Sequence, residues 1–228
     1  MMTWDSYVAG WRDLHGGYDP FTGSRFVRGW LRLAYVSGRA AARLGATPNT
    51  VTGVGLLLSA GVPATATLSR GGPLFAAALV LLSAIADSVD GAVAVIAGTA
   101  SRAGQVYDAV ADRLSEVCWL VALWLLGAPV WLLIVAGGLS GLHEYLRARA
   151  AAAGMTGVGV VTVAERPTRI IVVVAGLVVA GVAGLLATGT GPPADPRTVA
   201  VTVAAASWAG LALVAVAHLA LAVRAALR

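Results

Sequence analysis

The sequence predicts an all-α integral membrane fold, six transmembrane helices led by an N-terminal interfacial amphipathic helix, and three observations predict it. Of its 228 residues 58% are hydrophobic and only 12% charged, with a mean hydropathy of +0.82, whereas a soluble domain carries about a quarter charged residues. Apolar windows recur at the length a bilayer requires, about 20 residues each. The basic residues, all sixteen of them arginine, gather in the N-terminal segment, on or near alternate connections and at the C-terminus, with only Arg70 and Arg197 elsewhere.

Taken in order, the first 20 residues hold Trp4, Asp5, Trp11, Arg12 and Asp13 and contain no apolar stretch of signal-peptide length, so no cleaved leader is expected. Residues 23–45 mix Phe26, Trp30, Leu31, Leu33 and Tyr35 with Arg25, Arg28, Arg32 and Arg39. That pattern suits a helix lying in the membrane interface, its basic side toward anionic lipid headgroups. A solvated arm is the alternative. Residues 1–48 thus form a cytoplasmic or interfacial segment and residues 49–228 a six-helix bundle, together one domain.

The spanning windows are 50–69, 73–97, 105–126, 128–150, 169–188 and 198–223. Turn residues separate them: Gly71, Gly72 and Pro73, Gly98, then Gly127 and Pro129, and the run from Gly189 to Pro196. With a cytoplasmic N-terminus, fourteen arginines lie inside and only Arg70 and Arg197 outside. Such a bias places both termini in the cytoplasm of a multi-pass plasma-membrane protein. It also accounts for the net charge of +5 without a nucleic-acid partner. Lone Cys118, inside an apolar run, reads as core packing; Trp4, Trp11, Trp30, Trp119, Trp124, Trp131 and Trp208 need no cofactor to explain them, and several read as interface anchors or lipid-facing bulk.

Four of only eleven acidic residues fall together: Asp87 and Asp90 three apart, Asp108 and Asp112 four apart. Each pair therefore projects from one face of its helix, and the break at Gly98 turns the two faces toward each other. Gathered carboxylates are costly at a membrane, about 2.5–3.5 kcal/mol each at a helix centre and less near its ends. A hard divalent cation offsets them, because magnesium is shared between a few carboxylates and substrate phosphates. Magnesium and manganese both accept such a site. Gly91 and Gly104 lack side chains on or beside the acidic face and let a phosphate or a neighbouring helix come close. Structural ion pairing with Arg102 and Arg113 is the alternative, and it explains the regular offsets less well.

The run Asp87-x-x-Asp90-Gly91-x-x-Ala94-Val95, eight residues, then Gly104-x-x-x-Asp108-x-x-x-Asp112, resembles the signature of the CDP-alcohol phosphotransferases over 26 residues. Thr47-Pro48-Asn49-Thr50-Val51-Thr52 is similar to that family's opening of the first span. Tyr145–Ala150 and Glu165-Arg166-Pro167-Thr168-Arg169 resemble the fourth-span end and following loop of its actinobacterial phosphatidylinositol-phosphate synthases. The resemblance implies a six-span fold, dimeric in several members, with a polar cavity open to the cytoplasm. It implies a metal held by Asp87, Asp90, Asp108 and Asp112, with Asp112 also the catalytic general base. A CDP-linked lipid donor, CDP-diacylglycerol above all, would bind at Thr52, Gly91, Ala94, Arg102 and Gly104. An alcohol acceptor, a phosphorylated polyol, would bind at Arg147, Arg166 and Arg169, and CMP would leave.

One position departs from the pattern. The family's first half ends Ala-Arg, whereas Val95 follows Ala94 here; such an arginine would sit close to donor phosphates, and Arg102 is the candidate substitute. The last span offers His218 and then apolar residues up to Arg224, where an inositol-phosphate enzyme would supply an inward arginine. His218 reads as a packed interhelical histidine, His143 and Glu144 as either cavity-lining or a structural pair, and Glu116 as support for the metal or a partner of an arginine. Val95 also raises a catalytically silent relative as a competing reading. A transporter is another, since membrane carboxylates mark ion paths too, but there is no inverted repeat.

Overall fold

The structure, a computed structural model, describes residues 2–14, 25–155, 161–187 and 195–227. Among them are eight helices and no strand: α1 (Trp4–Leu14), α2 (Arg25–Arg43), α3 (Pro48–Thr67), α4 (Gly72–Ala97), α5 (Arg102–Leu125), α6 (Val130–Ala152), α7 (Arg166–Leu186) and α8 (Pro196–Ala226). Helices α3 to α8 coincide with the six apolar windows to within a few residues, and α2 with the basic amphipathic stretch. Helix α1 was not expected from its composition.

Local chemistry sets the ends. The Thr47 hydroxyl accepts the Thr50 N–H at 3.2 Å and Pro48 opens α3, where a missing N–H costs nothing. The Ser101 hydroxyl accepts the Gly104 N–H at 3.1 Å and caps α5, while Asp195 accepts the Arg197 N–H at 3.0 Å and caps α8. Between α4 and α5, Gly98 takes φ +65°, in the left-handed region, and Thr99 N–H closes on Ala94 C=O at 3.0 Å. This is the helix stop that only glycine adopts without strain, and it returns the chain so that the acid-bearing halves of α4 and α5 run side by side.

Helices α3, α4, α7 and α8 are long and apolar enough to cross a membrane. Helices α5 and α6 have the length, 24 and 23 residues, but α5 carries Asp108, Asp112, Arg113 and Glu116 and α6 carries His143, Glu144 and Arg147. The polar residues singled out from the sequence are thus what lowers the hydropathy of these two helices. The protein is an all-helical, multi-pass membrane protein.

The chain divides into two compact units. One runs to Leu58 and includes Leu82–Leu114; it packs α1 on α2 and the second half of α4 through Tyr7, Val8, Leu31, Ala34, Tyr35 and Ala92. The other, Ser59–Leu81 with the residues from Ser115 on, has its core around Val80, Trp119, Leu123, Val173, Leu177 and Trp208. In this second unit α8 packs on α6 and α7, and a Cβ added to Gly176 would lie 2.5 Å from the Ala204 Cβ, so small residues bring α7 and α8 together. Trp119 and Trp208 are fully buried, their indole N–H groups donating to Ser59 at 3.3 Å and Ser140 at 2.9 Å. Several tryptophans were expected as interface anchors or lipid-facing bulk; Trp124 and Trp131 are exposed in that way, whereas Trp119 and Trp208 are core residues. Cys118 packs against the same core.

Candidate functional site

In the first unit, Asp87 and Asp90 of α4 and Asp108 of α5 each present a carboxylate oxygen within 4.8 Å of the others. Asp90 is the most enclosed, 5% exposed. The Thr52 hydroxyl of α3 donates to Asp90 Oδ2 at 2.5 Å and lies 3.0 Å from the Pro48 carbonyl. A hydroxyl has one hydrogen, and a charged acceptor makes the stronger bond. Thr52 therefore orients one Asp90 oxygen. Asp112, one turn further along α5, is half-buried and is not among the three converging carboxylates.

A Cβ added to Gly91 would meet nothing within 4 Å, so this glycine answers to no neighbouring side chain and leaves open space beside the acids. Gly104 faces its own helix cap, Ser101 Oγ lying 3.1 Å from an added Cβ. Ala94 is half-buried. Arg102 lines an open groove along α5 with Gln105, Val106, Ala109, Val110 and Arg113, a lining that excludes Asp87, Asp90 and Asp108. Val95 is packed against α1, its Cγ1 only 3.2 Å from where a Gly10 Cβ would be.

The second unit ties Arg147 and Arg169 into one network with Glu116, His143, Glu144, Thr162 and Glu165. Arg169, 2% exposed, donates from Nη1 to Glu116 at 3.0 Å and from Nη2 to Glu144 at 2.9 Å. Arg147 donates to Glu165 Oε1 at 2.5 Å, and the same oxygen accepts the Thr162 N–H at 2.9 Å and the Thr162 hydroxyl at 3.0 Å. That hydroxyl also meets His143 Nε2 at 3.0 Å, which makes the imidazole N–H the donor to Thr162. Burial alone would raise the Glu165 pKa, but the Thr162 N–H and the Arg147 guanidinium outweigh it and hold the carboxyl below the usual range. Arg166 is half-buried, its guanidinium 5.9 Å from the Trp119 ring centre.

Three polar expectations resolve differently. His143 and Glu144 belong to this buried network, Glu116 pairs with Arg169, and His218 is exposed on the outside of α8 rather than packed between helices. The hydroxyls of Thr52 and Thr162, which hold Asp90 and Glu165, carried a recognisable signal only for Thr52, at its fixed place in the first span.

The family described as CDP-alcohol phosphatidyltransferase matches over residues 46–226. The phosphatidylinositol phosphate synthase of Mycobacterium marinum is 37% identical over 158 residues, 64% of either chain. The archaetidylinositol phosphate synthase of Pyrococcus horikoshii is 33% identical over 139 residues, 60% of this chain and 71% of its own. Among solved structures, the phosphatidylinositol phosphate synthase of Mycobacterium tuberculosis with CDP-DAG bound superposes with a TM-score of 0.64 at 27% identity, over 84% of this chain and 94% of that one. The same protein with manganese and citrate gives 0.63 at 28% identity, over 84% and 88%. The three carboxylates suit the hard, oxygen-bound cation that such a relative holds. The chain therefore belongs to the CDP-alcohol phosphatidyltransferase family and is an enzyme of that kind, with a divalent metal as its cofactor.

Proposed function

We propose that this enzyme moves the phosphatidyl group of CDP-diacylglycerol to a hydroxyl of a phosphorylated polyol, inositol phosphate foremost, and releases CMP. The observation that carries the proposal is the convergence of Asp87, Asp90 and Asp108 at the family's signature spacing. The names of the relatives, and the CDP-DAG bound by one of them, support the choice of donor and acceptor.

Asp87, Asp90, Asp108 and Asp112 are assigned to a magnesium or manganese ion, the first three as its core. When bound, that ion neutralises the donor diphosphate and stabilises the departing CMP. Thr52 keeps Asp90 oriented toward it. Asp112 takes the proton of the acceptor hydroxyl as its oxygen bonds to the phosphatidyl phosphorus and the bond to CMP breaks. Gly91 leaves room for the donor, and Ala94, Gly104 and Arg102 are assigned to donor binding from their places in the family's motif. Arg147 and Arg166 are the acceptor's phosphate ligands, since an arginine fork matches phosphate oxygens. Arg169, enclosed between Glu116 and Glu144, holds that surface together from within.

The same reading makes α3 to α8 six membrane spans, α5 and α6 completing the four apolar ones, with α2 in the cytoplasmic interface. Arginine placement supports both termini and the site lying on the cytoplasmic side of the plasma membrane, in one catalytic domain; a homodimer is the assembly that the family's dimeric members suggest.

The test is CMP release by the purified protein with CDP-diacylglycerol and magnesium, against inositol phosphate, glycerol phosphate, inositol and serine. Release that requires inositol phosphate and disappears in Asp112→Asn is expected. Release with another acceptor alone would replace the acceptor, and none with any acceptor would overturn the reading.

A further inference from the structure

Val95 stands where the family's pattern has an arginine, and the structure shows what it touches instead. Ser88, Ala92 and Val95 follow one another at i, i+4 and i+7, so they share one face of α4. Asp87, Gly91 and Ala94 repeat those offsets one residue earlier, and the two faces are turned from each other by about 100°.

The Ser88 face is occupied along its whole length by the N-terminal helices. Trp30 of α2 donates from Nε1 to Ser88 Oγ at 2.8 Å. A Cβ on Gly38 of α2 would lie 2.7 Å from the Ala92 Cβ, a separation that only glycine permits. Gly10 of α1 meets Val95 in the same way, with 3.2 Å to its Cγ1. Helix α1 is in turn seated by Tyr7 and Val8, which are 1% and 4% exposed, and by the Tyr35 hydroxyl donating to the Met2 carbonyl at 3.0 Å. The family match begins at residue 46, so α1 and α2, which supply the other side of this clasp, precede the matched residues.

We propose that Val95 is a positioning residue for the metal centre: it seats α1 on α4 through Gly10, and the clasp of α1 and α2 fixes the rotation of the α4 turn that carries Asp87 and Asp90. The proposal rests on the reading of these acids as metal ligands. Ligands must be held to about 0.5 Å, and a small roll of α4 about its axis moves both carboxylates together relative to Asp108. A branched apolar side chain at 95 packs into α1, whereas an arginine there would drive a guanidinium into the same contact. Position 95 thus carries an apolar anchor rather than a cation.

The experiment measures Mn²⁺ binding by electron paramagnetic resonance on the full chain in detergent without substrates, alongside the melting temperature. Gly10→Val wedges α1 away from Val95 and weakens Mn²⁺ binding by about fivefold, and the double variant Gly10→Val/Val95→Ala, which removes the opposing methyls, recovers to within about twofold. If Gly10→Val does not fold, Gly10→Ala carries the same comparison with a smaller loss. A Gly10 variant that melts earlier but binds Mn²⁺ as the native protein does overturns the proposal, as does a double variant no better than the single. A native protein that binds no Mn²⁺ overturns instead the metal reading beneath it, for which Asp90→Asn is the control.

Discussion

The two charged regions of this protein are built on opposite principles. In the unit containing the ends of α4 and α5 that face each other across Gly98, three carboxylates of one sign lie within 4.8 Å. In the other unit the signs alternate, Glu116, Arg169 and Glu144 in one group and Glu165 and Arg147 in another. Like charges so close raise one another's energy and favour a cation of higher charge, whereas an alternating network neutralises itself. The first arrangement is fit for chemistry, whereas in the second the Arg169 group, enclosed between Glu116 and Glu144, is fit for holding helices in place.

The largest effect should come from breaking the like-charged cluster. Asp90→Asn removes a carboxylate without changing its size, and CMP release should fall on the order of 10³-fold, the several kcal/mol that a metal supplies, with Mn²⁺ binding lost in the same preparation. Breaking the alternating cluster should act on stability instead. Arg169→Met leaves Glu116 and Glu144 facing each other in a buried site and should destabilise the protein by about 3 kcal/mol, read as a lower melting temperature. Adding Glu116→Gln should return part of the loss, which would separate the charge effect from packing.

Two finer measurements sharpen the contrast. Thr52→Val deletes the hydroxyl that orients Asp90 and should weaken Mn²⁺ binding by about tenfold while barely moving the melting temperature. In the alternating network, Glu165 titrates lower when folded than when unfolded, so its contribution is present above the ordinary value of 4.5 and is lost as pH falls through the lower folded value. Melting temperatures of the native protein and Glu165→Gln should therefore differ at neutral pH and converge in acid.

Helix order and the acid face were legible from the sequence because both depend on local periodicity. Asp87 and Asp90, or Asp108 and Asp112, share a face whatever surrounds them, and Gly98 marks the turn that brings the pairs together. Helix α1 was not read from the sequence, although Trp4, Tyr7, Val8 and Trp11 recur at helical spacing; its 11 residues are too few to hold a helix alone, and it forms against α2 and α4. Nor was the difference between Asp112 and the other three acids, which depends on how α5 is rotated against α4.

By itself, then, the sequence determined that the chain is helical and membrane-embedded, where α2 to α8 begin and end to within a few residues, and that Asp87, Asp90 and Asp108 come together. Tertiary structure alone decided that Arg169 is enclosed between two glutamates, that Trp119 and Trp208 are core residues, that His218 faces outward and that Val95 seats α1. The physical reason is range. Spacing along one helix is set by 3.6 residues per turn, but a partner for a buried charge or an indole N–H comes from another helix, 53 residues away for Arg169 and 68 for Trp208, and depends on which faces pack together.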